Sequence, residues 1–245
     1  MGTILVSAIF TECDGVLLNA NKSRWGDAEK LRYLNAAQRQ IVLLKPSAYT
    51  VDAVYRLVAG TKQTIPDGTA SFLTPAGATI SECIQLIKVV RNMGTTGLVA
   101  GSAITPVGED ILNGIDPDWH LATAAAVVQN YIFDERAPLQ FYVTPPQPTS
   151  SQGYIEAVCS AIPTDVETDE AETYEVEITL SDVFRDIITN YILFRCYAKD
   201  AAISPYNAAR AAEYWNLFVL GLERKDLVKR EYSPNVKLAN NPSTE

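Results

Sequence analysis

The chain has 245 residues, of which 47% are hydrophobic and 20% are charged, and its formal net charge is -9. This composition is typical of an ordered globular protein, and the length suffices for one large domain or two smaller ones with a sizeable core. The excess of negative charge disfavours a protein that holds nucleic acid tightly by neutralising its phosphates.

Two helices are predicted near the start of the chain. From Ile4 to Leu18 apolar residues recur at roughly helical spacing, although Gly15 weakens the middle of the pattern. Asp27 is a plausible N-cap of a second helix, whose apolar residues recur every three or four positions until Pro46 ends the pattern. The apolar run at 3–10 follows no basic segment, so it indicates neither a signal peptide nor a membrane span.

The middle of the chain has the short apolar runs of β-strands, separated by Pro, Gly, Ser and Thr. The clearest runs are 51–58, 83–90, 140–144 and 154–161. Gly60 follows one predicted strand and precedes another, which favours a hairpin over a phosphate-binding loop. The stretch 164–177 has seven acids and no bases. It is predicted to be a solvated loop, with calcium binding as the less favoured alternative.

Helical spacing resumes at Ser181, which can cap the first turn, with Asp182 favourably placed beside the helix dipole. A last helix is predicted from Pro205, because the first turn of a helix tolerates proline. Two prolines and three asparagines without periodicity indicate an extended tail over 231–245.

These elements predict an α+β fold, in which both chain ends build a helical bundle around an inserted β-rich domain. The expected boundaries are 1–47 and 180–230 for the helical bundle domain, 48–179 for the inserted β-rich domain and 231–245 for the extended C-terminal tail.

Residues that commonly bind metals or act as catalysts are scarce. His120 is the only histidine, and none of the four cysteines belongs to a CxxC pair, so we expect buried free thiols in a reducing cytoplasm, with no metal and no cofactor. The motif Asp116-Pro117-Asp118-Trp119-His120 could suggest a metal or acid–base site. Because no second histidine or nucleophile accompanies it, we interpret it as a turn before an anchoring aromatic residue.

Several short clusters along most of the chain resemble the head-to-tail adaptor proteins of short-tailed and related bacteriophages. The clusters are Arg24-Trp25, 34–39, 57–63, 91–94, 116–120, Tyr131, 133–134, 141–143, 145–146 and 198–200. The resemblance implies a non-enzymatic structural protein of the virion neck, present in the host cytoplasm during assembly. Its implied partners are the portal protein, the tail nozzle protein and further copies of itself in a ring, typically dodecameric, through which genomic DNA passes without tight binding.

The resemblance also implies that the C-terminal tail reaches onto the portal. We expect Tyr232, Pro234, Val236 and Leu238 to be the anchors, with Lys229, Arg230 and Lys237 steering the encounter. Two alternatives remain: another neck or tail-completion (nozzle) subunit, and a soluble hydrolase whose carboxylates supply acid and base.

Charged residues suggest two further roles in a ring. Acids on the polar faces of helices would repel passing DNA, and the candidates are Asp182, Asp186, Glu223 and Asp226. Basic residues beside aromatic or apolar neighbours suit contacts between subunits, or equally ion pairs within one chain. These are Arg24, Arg39, Arg91, Arg136, Arg195 and Lys199, of which Lys199 is expected to interact locally with Asp200.

Overall fold

A computed structural model describes residues 2–168 and 173–232, with side chains up to Glu223. In this part of the chain the fold is mixed α+β, with five α-helices and two β-sheets. The chain divides into two compact units. We call them the helical unit (Met1–Lys45 and Pro163–Glu245) and the β unit (Pro46–Ile162).

The helical unit contains α1 (Val6–Leu17), α2 (Asp27–Leu44), α4 (Arg185–Lys199) and α5 (Pro205–Tyr232). Helix α4 packs against the other three, and its buried residues Ile188 and Ile192 lie in the core. All four helices were predicted, and α5 begins at Pro205 as expected. Because α5 extends through Tyr232, the backbone of 231–232 is helical and not part of an extended tail.

Ser181 does not cap a helix with its side chain, contrary to the prediction. Asp182 instead accepts hydrogen bonds from the backbone N of Thr3 (2.6 Å) and its Oγ1 (2.7 Å), and from the backbone N of Ile4 (3.1 Å). These bonds tie the start of the chain to the segment before α4, a long-range contact that the local sequence could not indicate.

The segment 163–180 belongs to the helical unit, so the β unit ends at Ile162, earlier than the expected boundary at 179. Two buried amides on α2 hold this segment. Asn35 exchanges two hydrogen bonds with the backbone of Val166 (2.9 and 3.0 Å), and Gln38 Oε1 accepts from the backbone N atoms of Thr179 and Leu180. The segment is therefore only partly the predicted solvated loop, because Val166 and Tyr174 are buried while acids such as Asp165 remain exposed.

The β unit has seven strands and one short α-helix. They are β1 (Thr50–Arg56), β2 (Gly60–Thr64), β3 (Cys83–Asn92), β4 (Thr105–Pro106), α3 (Glu109–Ile115), β5 (Asn130–Phe133), β6 (Gln140–Gln147) and β7 (Tyr154–Ala161). One sheet has the order β1-β7-β3 and the other β2-β6-β5-β4, with antiparallel pairs except for β4 and β5. Both sheets contribute buried residues to one hydrophobic core.

The predicted hairpin at Gly60 is wrong, since β1 pairs with β7 and β2 pairs with β6. Gly60, with φ of 94°, turns the chain from one sheet to the other. The buried side chain of Gln63 stabilises this turn by bonding the backbone of Val58 and Gly60.

The four cysteines are free and buried, as the sequence predicted. None of the helices in the described ranges has the length and apolar character needed to span a membrane.

Candidate functional site

The Asp116-to-His120 motif forms the predicted turn before an anchoring aromatic residue. The backbone N of Asp118 donates to Asp116 Oδ1 (3.2 Å), and the backbone N of Trp119 donates to the Asp116 carbonyl (3.2 Å). A 3-10 helix, Trp119–Leu121, follows and packs against β6. Trp119 is only 2% exposed, and its Nε1 donates to Asn113 Oδ1 (2.9 Å).

His120 lies on top of this anchor and remains exposed. Its ring stacks on Trp119 with a centroid distance of 3.5 Å, and its Nδ1 lies 3.0 Å from Thr61 Oγ1 on β2. Tyr142 on β6 meets both rings edge-on, at 6.2 Å from Trp119 and 6.0 Å from His120. We call Trp119, His120 and Tyr142 the aromatic corner.

A cavity of about 260 Å³ lies beside the aromatic corner. Besides the three aromatic residues, its lining includes the acidic residues Glu109 and Asp134. Its complete lining is Glu109, Trp119, His120, Ile132, Asp134, Ala137, Gln140 and Tyr142. The sequence did not indicate that Glu109, Asp134 and Tyr142 share a site, because they come from separate elements and no local motif links them, although Asp134 and Tyr142 belong to the clusters that resemble adaptor proteins. Asp116 and Asp118, which it singled out, do not line the cavity.

The residues of the cavity do not form a recognisable metal centre. Across the described ranges, no group of three or more His, Cys, Asp or Glu side chains is arranged to hold a metal ion. Asp134 Oδ1 accepts a hydrogen bond from the backbone N of Arg136 (2.9 Å) and lies 3.4 Å from Arg136 Nε. The Arg136 side chain is 93% exposed, so it leaves the cavity open.

Apolar side chains are exposed on the connection from β3 to β5, which includes α3 and two members of the aromatic corner, Trp119 and His120. None of the residues of α3 is buried, and Ile111 and Ile115 on successive turns are 60% and 77% exposed. Leu121, directly after His120, is 84% exposed. Ile111 and Ile115 are neighbours on one face of α3, and neighbouring exposed apolar side chains are typical of protein-binding surfaces.

The helical unit also exposes apolar side chains. On α5 these are Tyr206, Leu217 and Leu220, and at the C-terminal end of α2 they are Leu43 and Leu44. Lys229, Arg230 and Tyr232 belong to the last turns of α5, but their side chains lie outside the described residues, as do Pro234, Val236, Lys237 and Leu238 entirely.

Most of the basic residues that the sequence singled out pair within the chain. Arg24 pairs with Asp200, Arg39 with Asp165, Arg91 with Glu156, Arg136 with Asp134 and Lys199 with Glu29, while Arg195 lies over the ring of Tyr33. The expected local interaction of Lys199 with Asp200 is wrong, because each pairs with a residue at the start of α2 or in the loop before it.

The acids proposed to face DNA have different surroundings. The hydrogen bonds from Thr3 lower the pKa of Asp182, so this carboxylate has a structural role. Asp186 and Glu223 are exposed, and the side chain of Asp226 lies outside the described residues.

In a comparison with known families, the chain matches a family model described as SU10 adaptor protein over residues 5–238. The match includes both units and almost all of the described residues. No curated protein sequence matches the chain.

Proposed function

We propose that this chain functions as a head-to-tail adaptor. The chain belongs to the SU10 adaptor protein family, whose members are structural bacteriophage proteins and not enzymes. In this function, copies of the chain form a ring between the portal and the tail nozzle of the virion, and the genome passes through it. The observation that carries the proposal is the family match from residue 5 to residue 238.

The C-terminal segment is the proposed contact with the portal. Arg224, Lys225, Lys229, Arg230 and Lys237 give this part of an acidic chain a local excess of positive charge. Positive charge near the tail would steer the encounter, and the apolar residues Tyr232, Pro234, Val236 and Leu238 would then bind in grooves of the portal. Leu222 is the last buried residue among the described side chains of α5.

Deletion of Glu231–Glu245 tests this contact. The truncated chain should keep its folded helical unit, since the described core of that unit ends at Leu222, but lose most of its portal binding in a sedimentation assay. Replacement of Asn240 and Asn241 by serine provides a matched control that keeps the proposed anchors. Full portal binding by the truncated chain would refute the proposed contact.

Negative-stain imaging of the full chain mixed with purified portal tests the adaptor function itself. We expect a ring of additional density on the tail-facing end of the portal. If the chain binds only to complexes that already contain an adaptor, the alternative of a nozzle or tail-completion subunit is favoured.

The net charge of -9 supports a non-adhesive passage for DNA. Exposed acids such as Asp186 and Glu223 would repel phosphates, whereas a basic lumen would bind the genome with salt-dependent affinity. The purified protein should therefore retain no DNA in a gel-shift assay at physiological salt. A clear shift under those conditions would contradict the proposed passage.

A further inference from the structure

The cavity beside the aromatic corner combines two features that favour a cation. Aromatic rings attract cations through their negative faces, and carboxylates attract them by charge. The lining of the cavity includes the aromatic residue Tyr142 and the acidic residues Glu109 and Asp134, whereas no lysine or arginine lines it. Trp119 also borders the cavity, but it is only 2% exposed and the ring of His120 is stacked on it.

We propose that this cavity binds an arginine side chain of a partner protein. A guanidinium is planar, so it can stack on a ring such as Tyr142 while its N–H groups donate to a carboxylate. The volume of about 260 Å³ suits one side chain and is smaller than most cavities for drug-sized ligands.

The segment that supplies most of the cavity lining has only acidic charged side chains. No lysine or arginine occurs from residue 92 to residue 135, while Glu109, Asp110, Asp116 and Asp118 all fall in this stretch. Two cations lie nearby: the exposed Lys62 is the direct cross-strand partner of Tyr142, and Arg136 contacts Asp134 from solvent with its side chain 93% exposed. Such an exposed pair contributes little free energy, so an incoming arginine can compete for Asp134.

The surroundings of the cavity indicate a protein and not a free small molecule as the source of the arginine. Ile111 and Ile115 are exposed on α3, the helix that supplies Glu109, and Leu121 is exposed directly after His120. Protein interfaces often place an arginine in a central pocket and surround it with apolar contacts. The expected partner surface therefore presents an arginine flanked by apolar side chains.

This inference goes beyond the proposed adaptor function and does not depend on portal binding by the C-terminal tail. The test uses the isolated full chain, labelled with 15N, and follows the indole N–H signal of Trp119 by NMR. The Trp119→Phe variant identifies that signal among the three tryptophans. The probe is N-acetyl-arginine amide, and the matched control is N-acetyl-citrulline amide, which has nearly the same shape but no charge.

We expect saturable shifts of the Trp119 signal with the arginine probe and none with the citrulline probe at equal concentration. The double variant Glu109→Gln, Asp134→Asn should weaken binding by about tenfold or more, because it removes both carboxylates from the cavity. The double variant Asp110→Asn, Glu135→Gln removes the same charge at the adjacent, exposed positions that do not line the cavity, and it should bind like the unchanged chain.

Three results would overturn the proposal. The first is an equal response to arginine and citrulline, and the second is an equal loss of binding in both double variants, which would indicate only a general charge effect. The third is equal binding of N-acetyl-lysine amide, which would remove the preference for a planar cation.

Discussion

The helical unit and the β unit differ in the polar groups that they bury. In the helical unit the side chain of Lys30 is fully buried, with its Nζ 2.6 Å from Asp14 Oδ2 and 2.7 Å from Asp27 Oδ1. In the described β unit no charged residue is buried, and amides take this place, above all Asn92, Gln63 and Gln147. Each of these amides bonds to backbone groups of a neighbouring loop or turn.

This difference determines how each unit should respond to its surroundings. A buried ion pair stabilises the fold only while both partners are charged and in contact, since a lone buried charge has a large desolvation cost. A buried amide is neutral and satisfies backbone groups at any pH. The helical unit should therefore be sensitive to pH and to loss of one charge, whereas the β unit should depend on hydrogen-bond geometry.

Replacement of Lys30 by methionine should have the largest effect on stability. It leaves Asp14 and Asp27 without their buried partner, which typically costs about 3 to 5 kcal/mol. Urea unfolding, followed by the fluorescence of Trp25 and Trp215 in a Trp119→Phe background, measures the helical unit. Lys22→Met is the control, because Lys22 also pairs with Asp27 but its side chain is 54% exposed, and it should cost less than about 1 kcal/mol. Equal costs for the two variants would contradict the comparison.

Replacement of Asn92 by alanine should have the next largest effect on stability, and it should destabilise the β unit. Asn92 donates to the carbonyls of Val128 (2.8 Å) and Ser102 (3.1 Å) and accepts from the backbone N of Val128 (2.8 Å). Loss of these bonds leaves buried backbone groups unpaired, for a cost of about 2 to 3 kcal/mol. Thermal unfolding followed at Trp119 checks this cost. Asn130→Ala, which removes an exposed bond to Thr105, should cost well under 1 kcal/mol.

Acid should weaken the helical unit before the β unit. Burial opposes ionisation of Asp27, but hydrogen bonds from Lys22 and Lys30 outweigh it and lower its pKa. The pKa of Glu29 is also lowered, because bonds from Lys199 and Tyr33 outweigh burial. A carboxylate with a lowered pKa in the folded state stabilises the fold at pH values above its ordinary pKa of about 4. This stabilisation is lost as the pH falls towards the pKa of the folded state.

Hydrogen exchange, measured by mass spectrometry at decreasing pH, tests this loss of stability in each unit separately. The rates are corrected for intrinsic exchange. Protection in α1 and α2 should fall below about pH 4 while protection in β3 and β7 persists. In the β unit the pKa of Asp67 is lowered by bonds from Thr69, only two residues away, so that group should stabilise its own turn alone. Simultaneous loss of protection in both units would contradict the comparison.

The sequence predicted what depends on local pattern and missed what depends on distant partners. The end of α2 followed from Pro46, although Asp27 is the first residue of this helix and not, as predicted, its N-cap, which is Gly26. The turn at Asp116 followed from its Asp-Pro-Asp chemistry. The separation of β1 and β2 into two sheets did not follow, because a glycine between two strands is compatible with either pairing. The full burial of Lys30 was equally invisible, since lysine is normally a surface residue.

The candidate cavity shows the same limit. Its turn and its aromatic anchor were predicted from consecutive residues, but Glu109 and Asp134 meet there only because α3 and the end of β5 lie together in the folded unit. A single sequence does not indicate which distant residues come together in the folded chain. The absence of lysine and arginine from 92 to 135 is the one local sign that the charge of this region has a role.

The smallest predicted effects concern two ion pairs at the surface, one in each unit. Arg39 bonds to both carboxylate oxygens of Asp165 in the helical unit, and Arg91 bonds to Glu156 in the β unit. Double-mutant cycles with alanine measure the coupling free energy of each pair. We expect about 0.5 to 1 kcal/mol for Arg91 with Glu156 and less than about 0.3 kcal/mol for Arg39 with Asp165.

The reason for this order is the backbone and not the bond lengths, which are 2.5 Å in both pairs. Arg91 and Glu156 are direct partners in the register of β3 and β7, so the sheet already holds the two side chains opposite each other. Glu156 is also 20% exposed, against 47% for Asp165, so water competes less for its carboxylate. Asp165 lies outside regular structure, and its pair with Arg39 must fix two solvated side chains. A larger coupling for Arg39 with Asp165 would show that charge contributes to the helical unit even at its surface.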